Sequence, residues 1–398
     1  MHLPIAIRDS ADLSAELIHF NNAGGALPYC GATEAMQQYL LHESRYGAYE
    51  TAHTFADKLQ AFYLEIARYL NARPDQIARA ESATRAFNRG ILSIPWERDD
   101  IILTTKSDYI SNHLVFLQLQ QKFGINIDIL PEGKSGYEPA ALAARIRTGK
   151  RPRLVSITHV PTNSGLVQDV SWAGKLCREY DILFAVDACQ SAGQLPLDVQ
   201  AIQCDFLSAT FRKYLRGPRG IGFLYVSDRV LQSDMTPLGL DSQGADWVAP
   251  DQFKIHPNAS RFETWEESKI LKIGAANAMA YLNEITVDFV QARIQFLNES
   301  LLQRLAGLAA LEVHRFYENQ ERLQTGIHLM NVPDWKKGPA VLIEALKEKG
   351  LNATTSGVGN DQYHFRERGI EWALRLSIHY YNTETEIDRA IDILREVL

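Results

Sequence analysis

Two residues sit where a side chain could do chemistry. Asp187 closes the apolar run ILFAVD and opens DACQSAGQ, residues 187 to 194; Lys213 lies in SATFRKYLRGPRGIGFLYV, which begins at Ser208. A carboxylate at the end of a buried strand is poorly solvated unless something positive meets it. That partner could be a helix N-terminus or a structural cation, the commoner cases, or the protonated ring nitrogen of a bound pyridine. Lys213 has Arg212 and Arg216 close in sequence and apolar segments on either side, so its pKa should be depressed and its amine freed for attack on a carbonyl. A surface lysine in a basic turn fits the same residues equally well.

Other segments add weaker signals. ESATRAFNRG, residues 81 to 90, opens a helical pattern with small and hydroxyl residues, which suits either a plain N-cap or an anion held on free N–H groups. Arg375 stands between two leucines in LRLSIHYYNT, residues 374 to 383, where a guanidinium needs a carboxylate from the protein or from a ligand. The four cysteines, Cys30, Cys177, Cys189 and Cys204, form no CxxC pair, so neither a disulfide framework nor a metal site is expected.

The elements that must position these residues follow from the apolar pattern. From residue 101 onward, IILTT, INIDIL, RLVSIT, ILFAVD, DFLSAT and IGFLYV alternate with amphipathic segments, the pattern of an α/β chain with a mostly parallel sheet wrapped by helices. In that architecture ligands bind beyond the carboxyl ends of the strands. Before it, Leu59, Phe62, Tyr63, Ile66 and Leu70 recur at helical spacing and predict a core-facing stripe. After residue 267 come two long helical stretches, a helix near PAVLIEALKEKG, a strand at ALRLSI and a closing helix with Thr383 and Glu386 in capping-box spacing.

Composition excludes several classes. A chain of 398 residues, 46% hydrophobic, can bury a large core, and a net charge of -7 without a basic block argues against nucleic acid. The opening residues lack a basic stretch followed by an apolar run, and no apolar stretch reaches membrane-spanning length, so a cytoplasmic protein without a membrane partner is expected.

Taken together, Asp187, Gln190, Thr210, Arg212, Lys213 and the GPRGIG turn resemble the lysine motif of the class V, fold-type I pyridoxal 5'-phosphate (PLP) enzymes. Those include class V aminotransferases, cysteine desulfurases and related epimerases and carbon–sulfur lyases. The resemblance implies a mostly parallel seven-stranded sheet flanked by helices, with a smaller α+β domain. The large PLP-binding domain would span residues 15 to 265, and residues 1 to 14 with 266 to 398 would form the small one. It implies a homodimer with active sites near the subunit interface, and a small amino acid as substrate.

It also assigns roles. Lys213 would hold PLP as a Schiff base, and Asp187 would keep the pyridine nitrogen protonated. Ala83, Thr84, Thr210 and Arg212 would bind the phosphate. Asn163, in THVPTNSG, would touch the phenolic oxygen in preference to Thr162, and Tyr109 or Ile110 would stack on the ring. Arg375 would clamp the substrate carboxylate, and Asn22 to Gly25 in FNNAGGALP, with Asn22 and Gly24 foremost, would line the substrate pocket. His113 and His159 would be structural, and Cys189 would pack beneath the ring.

Two departures narrow the chemistry. Desulfurases carry a mobile nucleophilic cysteine where this chain reads TTSGVGNDQYHF, residues 354 to 365. Persulfide formation is therefore disfavoured; RKYLRGPRGIGFLYV with DYISN upstream looks closest to the branch of carbon–sulfur lyases and isopenicillin-epimerase-like proteins, which implies a carbon–sulfur β-lyase on a cysteine-derived substrate, with an aminotransferase or a racemase or epimerase as alternatives. In RFETWEES, residues 261 to 268, Glu266 stands where relatives send a threonine to the partner's phosphate; a carboxylate there would repel that group, leaving Thr264 or Ser268 to make the contact.

Overall fold

All six apolar runs become strands of one seven-stranded sheet in the computed structural model, which describes residues 17–133, 136–308, 311–314 and 325–398. In chain order the strands are β1 (Ile77–Ala80), β2 (Ile101–Thr105), β3 (Asn126–Leu130), β4 (Leu154–Thr158), β5 (Leu183–Asp187), β6 (Phe206–Thr210) and β7 (Gly222–Val226). Their spatial order is β1-β7-β6-β5-β4-β2-β3, and only β7 runs antiparallel to its neighbours. β1 was not among the six runs: four residues reading IARA, with a charge inside, are too short and polar to stand out.

The sheet is sandwiched, which explains runs without polar alternation. Successive residues serve opposite faces: Leu103, Val155, Phe184, Leu207 and Phe223 enter one core, and Ile102, Leu154, Ala185, Phe206 and Leu224 the other. The first core also takes Phe62, Ile66 and Leu70 from the helix Ala56–Leu70. Tyr63, at the margin of that stripe, instead donates its hydroxyl to Glu263 at 2.9 Å.

A second, antiparallel sheet of four strands runs in the order Glu312–His314, Ile327–Asn331, Trp372–Ser377, Thr354–Gly357. The helices Val287–Leu305, Pro339–Glu348 and Glu384–Val397 supply its core, and the last opens with the Thr383–Glu386 capping box.

The contacts divide the chain differently from the boundary at residue 265. The helix Lys269–Ile285 buries Ala275, Ala276 and Met279 in the core of the seven-stranded sheet. Conversely, Ile18 and Phe20 lie in the core of the small sheet, and the strand Ile18–His19 pairs with Leu351–Asn352. Apolar faces set both placements. Residues 1 to 14 lie outside the described residues.

β1, β4, β5 and β6 share a direction, so Ala80, Thr158, Asp187 and Thr210 all end at one edge of the sheet. Gly222 is needed there: a Cβ on it would stand 2.7 Å from the Ala83 nitrogen, so the bare backbone lets the helix Ala83–Leu92 start directly over the sheet.

Candidate active site

At that edge one cavity is lined by Ser82, Ala83, Thr84, Tyr109, Thr158, Val160, Thr162, Asp187, Cys189, Gln190, Thr210, Arg212 and Lys213. Eight residues expected from sequence thus meet in one place.

Asp187 is 4% exposed. Its Oδ1 accepts from the Cys189 backbone N–H at 2.9 Å and its Oδ2 from Asn112 Nδ2 at 3.1 Å, with no ion pair among the described residues. Burial raises its pKa, partly offset by the Cys189 donors, while the nearby Asp108 charge raises it further. The Cys189 thiol also bonds Asp187, and burial pushes that thiol well above its usual value, so it stays protonated. Lys213 is 6% exposed, forms no ion pair among the described residues, and is pushed down to about 8 by burial, with Arg212 and Arg375 adding to the effect. Its Nζ lies 5.9 Å from the Tyr109 ring centroid. Tyr109, not Ile110, faces the cavity; Ile110 lines a separate groove.

Two guanidinium groups here have no carboxylate partner among the described residues: Arg212 lines the cavity, and Arg375 stands behind the lining residue Thr162. Arg212 is half-buried and, among the described residues, has no side-chain hydrogen bond or ion pair; burial and Arg219 lower its pKa. Beside it the helix Ala83–Leu92 begins, with Ser82 Oγ accepting only from Arg85 N, so the Ala83 and Thr84 N–H groups point free with the positive end of the helix dipole. Arg375, 9% exposed, donates from Nη1 to Thr162 Oγ1 at 2.7 Å, and its Nε finds no acceptor among the described residues. Thr162 Oγ1 also accepts from Gln190 Nε2 at 2.9 Å.

Three expected residues sit elsewhere. Asn163 does not line the cavity: its Oδ1 accepts from Ser356 Oγ on the small sheet, and Thr162 takes the cavity position. Asn22 is fully buried and spent on structure, donating to Ser377 O at 2.7 Å and His19 O at 3.1 Å and accepting from the Tyr381 hydroxyl. Gly24 forms a tight turn onto Asn21, whose Oδ1 would be 2.5 Å from a Cβ there. Of the loop 20–28 it is the Ala23 carbonyl that reaches the site, accepting from Gln190 Nε2 at 3.1 Å.

Cys189, expected beneath the ring, lines the cavity, whereas Thr158 and the pair Asp108 and Asn112 were missed. The signal was available: Thr158 is the polar residue ending a strand, and Asp108 and Asn112 stand four apart across a helix start. His159 lies off the cavity, held at about 4 by burial, and His113 packs beside Tyr363 with ring centroids 5.5 Å apart. In the segment 261–268, Ser268 caps the helix Lys269–Ile285, Thr264 bonds Glu81, and Glu266 is exposed.

Aspartate, lysine and two anion-binding ends match PLP and an amino acid in charge: the acid faces where a pyridinium would lie, Arg212 and the helix start suit a phosphate, and Arg375 suits a carboxylate. That is the donor set of a PLP-dependent enzyme. The sequence agrees: residues 18–390 match the Aminotransferase class-V family, and the chain belongs to it. A probable cysteine desulfurase of Pyrococcus abyssi is 26% identical over 405 residues, covering 100% of this chain and 98% of that protein. Among solved structures, an apo cysteine desulfurase from Thermococcus onnurineus NA1 shares the fold with a TM-score of 0.89 at 24% identity, covering 100% and 98% of the two chains. The cystine C–S lyase C-DES, solved with its product cysteine persulfide, shares it with a TM-score of 0.84 at 21% identity, covering 96% and 98%. The cofactor of the family is PLP.

Proposed function

We propose that this chain is a PLP-dependent carbon–sulfur β-lyase acting on a small cysteine-derived amino acid. Bound PLP supplies an aldehyde for the Lys213 amine and an electron-withdrawing ring that stabilises charge on the substrate α-carbon. Asp187 would hold the proton on the ring nitrogen, and Tyr109 would cover one face of the ring. Thr210, Arg212 and the Ala83 and Thr84 N–H groups would fix the phosphate, with Thr162 and Gln190 near the phenolic oxygen. Arg375 would orient the substrate through its carboxylate, with the bond to be broken held across the ring plane. The Lys213 amine, released by the incoming substrate amine, would take the α-proton. The sulfur-bearing group would leave the β-carbon with the electron pair of the broken bond, and hydrolysis of the remaining unsaturated amine would give pyruvate and ammonia.

One observation favours lysis over sulfur transfer to the protein: neither residues 354 to 367 nor the cavity offers an ionisable thiol to receive sulfur. Residues 354 to 367 contain no cysteine, and the segment is tied down by Ser356 to Asn163, by His364 to Glu132 at 2.6 Å and by Glu367 to Lys106 at 2.7 Å. Cys189, the cysteine at the cavity, is held protonated beneath Asp187. The relatives named cysteine desulfurases pull the other way, and this lack of a thiol is the reason for setting their activity aside.

The reading includes a homodimer in the cytoplasm. Trp247, Phe253 and Trp265 are 80%, 59% and 59% exposed around the hairpin Ala245–Ile255, next to Thr264, an apolar surface that a second copy would cover.

Loading with PLP, reduction with borohydride and peptide mapping should place the adduct on Lys213, and Lys213→Ala should take up no colour that survives reduction. Pyruvate and ammonia from cysteine conjugates, without a keto-acid acceptor, support the lyase. Stoichiometric pyridoxamine phosphate would replace it with an aminotransferase, and a protein-bound persulfide would replace it with a desulfurase.

A further inference from the structure

Behind Asp187 lies a second buried carboxylate. Asp108, 5% exposed, stands two residues before the helix Ile110–Phe123 and has no cation paired with it among the described residues. Five donors surround it instead. Thr104 Oγ1 at 2.6 Å and Ser156 Oγ at 3.1 Å donate to Oδ2; Thr158 Oγ1 at 2.6 Å, the Tyr109 N–H at 2.8 Å and Asn112 Nδ2 at 2.8 Å donate to Oδ1. Five hydrogen bonds hold both of its oxygens in place. Asn112, 2% exposed, uses the same amide nitrogen to reach Asp187 Oδ2 at 3.1 Å. Both its partners are carboxylates, so the NH2 group must face them, and the side chain has one possible orientation.

We propose that Asn112 and Asp108 are positioning residues for Asp187: Asn112 fixes the carboxylate toward the ring nitrogen, and the Asp108 charge strengthens its hold on the shared proton. The inference rests on the PLP reading above. The same carboxylate holds the Tyr109 N–H, so one buried charge sets both the acid below the ring nitrogen and the aromatic beside it. The two residues push Asp187 in opposite senses. A donor to the ionised carboxylate lowers its proton affinity, whereas a nearby negative charge raises it.

That opposition makes the test. Asn112→Leu removes the donor at nearly constant volume. Asp108→Asn removes the charge, and the Thr104 and Ser156 hydroxyls can rotate to accept from the new amide, so folding should survive. Each variant is loaded with PLP, and its visible absorption band is titrated against pH. In Asn112→Leu the more basic Asp187 draws the proton from the ring nitrogen, and a less cationic ring makes the Lys213 linkage more basic. The band midpoint should therefore rise by about one pH unit, with kcat about 10-fold lower and KM little changed. In Asp108→Asn the midpoint should fall, and the double variant should lie between the two. Midpoints that stay within ~0.2 of wild type, or that move in the same direction in both variants, would overturn the proposal. Failure of the underlying reading looks different: wild type itself would give no visible band that Lys213→Ala removes.

Discussion

Buried charge is handled in two ways within one protein. Under the helix Lys269–Ile285 the protein pairs its buried cations itself: Arg79 meets Glu267 at 2.5 Å and Lys272 meets the same carboxylate at 3.3 Å, beside Glu263, which accepts from the Arg79 N–H and the Tyr63 hydroxyl. At the carboxyl edge of the sheet Arg212, Arg375, Asp187 and Lys213 are buried or half-buried with no ion pair among the described residues. Burying charge without a partner costs stability, so the difference separates what holds the fold from what awaits a ligand. The first cluster is structural; the second, on the reading proposed above, would give up stability to bind.

The sharpest way to break the comparison is to remove one charge from each. Glu267→Gln leaves Arg79 and Lys272 buried without their shared carboxylate and should cost about 3 to 5 kcal/mol in urea unfolding. Arg375→Met removes a charge that has no carboxylate partner among the described residues, so apo stability should stay within about 1 kcal/mol of wild type or rise. If both variants lose the same stability, the distinction fails.

The second effect is on turnover. Arg375→Met should raise KM for the amino acid substrate about 100-fold, the worth of a buried bidentate carboxylate contact, while PLP loading is unchanged. Arg212→Met should do the reverse, weakening PLP binding and sparing KM in the loaded fraction.

A smaller effect concerns His364, whose ring lies 2.6 Å from Glu132 and 2.8 Å from Asp361. Burial lowers its pKa, but the hydrogen bonds and charges of Asp361 and Glu132 outweigh it and raise it to about 9. A folded value above the unfolded one gives stability that is complete below pH ~6.5 and lost as pH rises through the folded value. His364→Ala should therefore be less stable than wild type at pH 6 by on the order of 2 kcal/mol, with the gap closing by about pH 10. A gap that is constant with pH would show the histidine to be uncharged.

The smallest effect is kinetic. With its amine pushed down to about 8, Lys213 of the apoprotein should take up PLP with a rate that falls about 10-fold per pH unit below that value. Stopped-flow absorbance from pH 6 to 9 measures it; a pH-independent rate would contradict a depressed amine.

How much of this was legible in the sequence depended on how each residue does its work. The apolar runs gave six strands because a sheet covered on both faces leaves no polar alternation to blur them, whereas β1, carrying Arg79 into the structural charge cluster, read as nothing in particular. Asp187, Thr210, Arg212 and Lys213 were legible because they follow strands in a motif with fixed spacing. Asn163 and Asn22 were misplaced because side-chain direction in a loop is set by distant partners, Ser356 and Tyr381, that lie 193 and 359 residues away. Asn112 was only half legible: its spacing from Asp108 could be read, but its bond to Asp187, 75 residues away, could not.

The most direct test of the unmatched charges is a crystal structure of the protein soaked in PLP. The expected result is a covalent link to Lys213 Nζ, the ring nitrogen within hydrogen-bond distance of Asp187, and the phosphate against Arg212 and the Ala83 and Thr84 N–H groups. A cofactor whose ring nitrogen faces away from Asp187, or whose phosphate lies at Arg375, would contradict it.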